Sequence, residues 1–64
     1  MYKIGDKFRP IGRHFASSIY VVTDKEFNEW TQETLYTIEH IGFGKSVIYG
    51  ISEDALNKDY IKIK

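Results

Sequence analysis

The sequence predicts a mainly β protein: a single domain over residues 1–64, built as a five-stranded antiparallel small barrel with one short helical turn before the last strand. Three observations carry that reading. Five Tyr, four Phe and one Trp stand in the chain, while Ala occurs only at 16 and 55 and Leu only at 35 and 56. Aromatic and β-branched side chains suit a pleated, half-buried surface, and helical domains of this size draw on Ala and Leu. The C-terminal Tyr60-Ile61-Lys62-Ile63-Lys64 alternates apolar and charged residues with the period of a strand. Short Gly-containing segments separate the apolar runs, as hairpin connections do.

The elements follow in chain order. Lys7-Phe8-Arg9, entered through Gly5-Asp6, reads as a short first strand, and Pro10 to Ser18 as a long loop. Ser18-Ile19-Tyr20-Val21-Val22-Thr23 is the second strand. For residues 24–32 two readings compete. Thr23-Asp24-Lys25-Glu26 fits a helix capping box and Phe27 and Trp30 are spaced for one helical face, whereas Asn28 and the Thr residues fit a polar turn between two longer strands. The hairpin is the reading adopted. Glu33 to Ile41 forms the third strand, Gly42-Phe43-Gly44-Lys45 a tight turn, and Ser46 to Ile51 the fourth strand, with Gly50 marking a bulge or a close backbone approach. Ser52-Glu53-Asp54-Ala55-Leu56 is a helical turn ending at Asn57, capped by Ser52 and carrying its acids where the helix dipole favours them. The predicted core is Ile4, Phe8, Ile19, Val21, Tyr36, Ile38, Val47, Ile51, Leu56, Ile61 and Ile63.

Size and composition exclude several classes of function. A domain of 64 residues buries only about 60% of the surface of its unfolded chain, which leaves little room for an enclosed substrate cavity. The absence of Cys removes disulfides, thiolate metal sites and thiol nucleophiles. His14 and His40 have no partner at ligand spacing, so neither a metal nor another cofactor is expected. Ser17, Ser18, Ser46 and Ser52 lack a nucleophile elbow or a neighbouring base, and Gly42-Phe43-Gly44-Lys45 is too short for a phosphate loop; no enzyme is expected. The longest aliphatic or aromatic run, Ile19 to Val22, falls far short of the roughly 20 residues of a membrane span or the roughly 7–15 of a signal peptide core. A cytoplasmic protein with no membrane partner is the expectation.

Gly5-Asp6-Lys7-Phe8 is similar to the Gly-Asp turn that opens many bacterial small barrels. The run Tyr49-Gly50-Ile51, a capped turn, then Asp59-Tyr60-Ile61-Lys62-Ile63 resembles the approach to the last strand of Src-homology-3-type domains. The resemblance covers nearly the whole chain and implies their small-barrel fold. The chain lacks an Ala-Leu-Tyr-Asp-Tyr motif, a paired Trp opening the second strand and a Pro before Tyr60, so recognition of proline-rich peptides is not implied. In composition it also resembles the short accessory proteins of phages and mobile elements.

Nine Lys and Arg balance nine Asp and Glu, yet the charge is segregated. Residues 1–14 carry a net +3, residues 24–40 a net −4, and the remaining C-terminal stretch +1. Trp30 lies within the acidic stretch, beside Phe27, Glu26 and Glu29. A Trp among polar residues is a candidate interface anchor; an indole folded over an open barrel end is the competing role. The function expected is a non-enzymatic protein-interaction module binding another protein through Trp30, Phe27, Glu29 and Glu26. The alternative is weak single-stranded nucleic-acid binding by the basic side, Lys7, Arg9, Arg13 and Lys45 with Phe43, where cations would meet phosphates and rings would stack on bases. A pI of 6.7 disfavours it, since dedicated binders commonly exceed about 9.

Overall fold

In the computed structural model, which describes residues 1–12, 18–42, 44 and 46–63, the chain opens on a turn whose chemistry is written in its residues. Asp6 N–H donates to the Lys3 carbonyl at 3.0 Å, and the Asp6 carboxylate accepts from Lys3 N–H at 2.9 Å. Gly5 between them has φ +98°, a conformation that costs other residues steric strain. Gly5 N–H and the Asp6 carbonyl then engage Val22 at 2.8 and 2.9 Å, which delivers the chain into the sheet.

There follow β1 (Lys7–Pro10), β2 (Ile19–Asn28), β3 (Glu33–Ile41), β4 (Val47–Ser52), α1 (Glu53–Asp59) and β5 (Tyr60–Ile63). All strand pairs are antiparallel, in one sheet of order β4-β3-β2-β1-β5. The mainly β class, the five strands and the helix before the last are as the sequence predicts. The sheet is open, with β4 and β5 as its two edges, so the expected closure into a barrel is not among the strand pairings. The helix is longer than expected, running past Asn57 to Asp59. Ser52 caps it as predicted, its Oγ accepting from Ala55 N–H at 3.2 Å.

The core consists of Phe8, Val22, Tyr36, Ile38 and Leu56, each at most 1% exposed, with Tyr2, Tyr20, Ile48, Ile51 and Tyr60 packed against them. Each fully buried side chain of this kind contributes about 1.5–3 kcal/mol. Tyr2 meets Phe8 edge-on at 4.7 Å and Tyr36 at 5.8 Å, and its hydroxyl donates to Asn57, tying the N-terminal segment to α1.

Several predicted core positions are corrected. Ile4, Ile61 and Val47 are 60%, 41% and 37% exposed, and Ile19, Val21 and Ile63 are only half-buried. The register supplies the reason. Phe8 lies opposite both Tyr20 and Lys62, and directly opposed residues share a face. Tyr20, Val22 and Tyr60 therefore turn inward, while Ile19, Val21, Ile61 and Ile63 share the reverse face with Lys7 and Arg9. The alternation read in the last strand is real, but its inward members are Tyr60 and Lys62, whose ammonium lies 3.8 Å from the Asp6 carboxylate.

Candidate interaction surface

Residues 24–32 form the end of a long hairpin, not a helical turn. β2 and β3 remain paired out to Asn28 opposite Glu33, whereas β4 reaches only Leu35, through Ser52. The hairpin thus outruns its neighbour, and the protein measures 35 by 21 by 18 Å.

Side-chain chemistry fixes the connecting turn. The Asn28 Oδ1 accepts from Trp30 N–H at 2.9 Å and Thr31 N–H at 3.3 Å, an Asx turn of the kind that favours Asn here. Gln32 takes φ +59°, and its side-chain amide donates to the Glu29 carbonyl at 3.0 Å. These bonds hold Trp30 at the tip, 96% exposed. The indole is therefore not folded over the core.

A register shift between Val22 and Asp24, a bulge at Thr23, decides which side chains occupy which face. An extra residue inverts the alternation beyond it. After the bulge, Lys25 stands opposite Tyr36 and Phe27 opposite Thr34, while Glu26 stands opposite Leu35. Phe27, 54% exposed, is thereby brought to the core side of the ribbon, and Glu26 to the reverse. A second shift, between Tyr36 and Ile38, has Gly50 at φ +67° and is the bulge expected there.

All four residues predicted for the protein-binding site, Trp30, Phe27, Glu29 and Glu26, line one shallow recess together with Asn28 and Leu35. Phe27 also borders a second recess with Met1, Glu33, Thr34, Glu53 and Asp54. Those helix and terminal residues were not candidates in the sequence, because only the β3–β4 pairing brings the start of α1 beside the hairpin. Glu53 accepts from the Tyr36 hydroxyl at 2.9 Å and lies 3.9 Å from the N-terminal ammonium, while Asp54 is exposed. Burial raises the Tyr36 pKa; the Tyr2 N–H donated to its hydroxyl lowers it, and the bond to Glu53 raises it. The hydroxyl thus remains the donor to Glu53 at neutral pH.

The basic candidates are distributed differently. Lys7 and Arg9 flank Phe8, which is wholly buried, and they project from the opposite face beside Ile63 and Ile61. Arg13, Phe43 and Lys45 lie outside the described residues. No helix among the described residues is long and apolar enough to cross a membrane. No family model, curated protein or solved structure matches the chain, so the surface is read from its chemistry.

Proposed function

We propose that the protein is a non-enzymatic interaction module that docks a partner protein through the tip of the β2–β3 hairpin. The observation that carries this reading is Trp30, 96% exposed yet held by two hydrogen bonds from its own turn to Asn28. A large apolar side chain in full contact with water gives the fold nothing, and Trp is enriched among residues that dominate binding energy. Pre-ordering the turn lowers the entropy lost on binding.

Phe27 supplies a second apolar contact. Glu26 and Glu29 line the recess of Trp30 and Phe27, and Glu33, Glu53 and Asp54 border Phe27 on its other side, where Lys25 is the neighbouring cation. The complementary partner is a protein segment bearing Lys or Arg, which an indole also attracts through its ring face. The strand order, with the helix leading into a last strand beside the first, supports the Src-homology-3-like small-barrel reading of the scaffold.

Affinity capture from lysate, with and without nuclease, tests the proposal. The expected result is a protein retained by the wild type irrespective of nuclease and lost in Trp30→Ala. Retention that disappears with nuclease would instead favour the nucleic-acid alternative through Lys7 and Arg9.

A further inference from the structure

The outer edge of β2 is paired along only part of its length. Lys7 and Phe8 of β1 stand opposite Val21 and Tyr20, and Gly5 N–H and the Asp6 carbonyl take the backbone of Val22 at 2.8 and 2.9 Å. The chain reaches this edge only at that Gly5-Asp6 turn. β2 runs on to Asn28, and among the described residues only β3 pairs with it there. Lys25 N–H donates to the Asp24 Oδ1 at 2.8 Å and not across the ladder to β3, so the Lys25 backbone faces the open edge. With the period of a strand, so does that of Phe27. The bulge at Thr23 lets Val22 and Lys25 point to the same side. The Lys25 carbonyl and the Phe27 N–H and carbonyl have no hydrogen-bond partner among the described residues.

An unpaired strand edge can take a further strand, and the side chains along this one specify it. Lys25 and Phe27 stand on the core side of the ribbon, and Asp24 and Glu26 on the reverse. We propose that the β2 edge from Asp24 to Phe27 takes an extended segment of the partner, antiparallel to β2 and in line with β1, whose residues alternate basic and apolar. The proposal rests on the reading of this hairpin as the docking element and names what it docks. In that register the apolar residues fall opposite Phe27 and the stem of Lys25, beside the recess that these two line with Met1 and Thr34. The basic residues fall opposite Asp24 and Glu26. Opposite charges facing each other across strands stabilise the pair, and like charges oppose it. An acidic strand is thereby rejected, and a second copy of β2 laid along Asp24 to Glu26 would set acid against acid.

Amide NMR on the full chain, titrated with acetylated and amidated Lys-Val-Lys-Val-Lys-Val-Lys, tests the proposal. A saturable shift and slowed exchange are expected at the Phe27 amide. In the proposed register the valine N–H groups bond to β2 and the lysine N–H groups point away. N-methylation of the valines is therefore expected to weaken binding about tenfold or more, and N-methylation of the interior lysines to leave it within about threefold. Glu26→Lys, at an exposed position, is expected to weaken binding of the unmodified peptide about threefold or more. Absence of a shift at Phe27 up to about 1 mM peptide, equal effects of the two methylations, or unchanged binding by Glu26→Lys overturns the proposal. So does protection of the Phe27 amide that grows with protein concentration alone, which would assign the edge to a second copy. The docking reading fails separately, through partner capture that survives in Trp30→Ala, a result on which the methylation pattern does not depend.

Discussion

The Asn28 side-chain oxygen accepts the backbone N–H of Trp30 at 2.9 Å, so the residue that closes β2 also orients the residue that stands at the tip. The same oxygen takes Thr31 N–H at 3.3 Å, and together these bonds make the turn a fixed platform. Replacing Asn28 with Ala removes the single acceptor of both bonds, where water can replace it. The expected loss of stability is about 1 kcal/mol or less, with faster amide exchange at Trp30 and Thr31. Denaturant unfolding and hydrogen exchange measure the two effects, and unchanged exchange at both amides would show that the turn is held by its backbone alone.

Ile38 and Ile61 provide a direct test of which sheet face is the core. Ile38 is wholly buried and Ile61 is 41% exposed. Ile38→Ala is expected to destabilise the fold by about 2–5 kcal/mol, enough to unfold much of a small domain, and Ile61→Ala by about 1 kcal/mol or less. Urea denaturation of the two variants checks the difference. Equal losses would mean that both faces of the sheet are covered in the isolated chain.

This pair also shows where the sequence was and was not sufficient. Local signals were legible because local chemistry decides them: the Gly5-Asp6 turn, the Ser52 cap, the bulge at Gly50 and the strand character of residues 33–41. The facing of β5 was not. Tyr60-Ile61-Lys62-Ile63 has a definite period, but period alone does not say which face is inward, and the assumption that Ile is buried before Tyr chose the wrong one. Register against Phe8 makes the choice, and it depends on a partner more than fifty residues away in sequence. The displacement of the β2 core positions has the same origin: Val22 rather than Val21 faces inward, with the bulge at Thr23 resetting the alternation beyond it. The candidate site was legible as a cluster because Glu26, Phe27, Glu29 and Trp30 are neighbours in the chain. Met1, Glu53 and Asp54 were not, since only the fold brings them to Phe27.

The buried Tyr36 hydroxyl gives the stability a definite dependence on alkaline pH. Its pKa is raised above 10.0, first by burial, so the folded state holds the proton more tightly than the unfolded state. The contribution is fully present below about pH 10 and is lost as pH rises through the folded value. Tyr60 is shifted in the same direction by burial, Tyr20 and Asp59. Stability against urea is therefore expected to fall above pH 10, and Tyr36→Phe to reduce that fall without abolishing it. An alkaline profile identical in the wild type and Tyr36→Phe would contradict the assignment.

The central claim is that Trp30 serves a partner and not the fold. Its most direct test is affinity capture with wild-type and Trp30→Ala protein whose unfolding free energies have first been compared. The two are expected to agree within about 0.5 kcal/mol, as for an exposed site, while only the wild type retains the partner. A Trp30→Ala protein that retains the same partner equally well, or that loses its fold, would contradict the account.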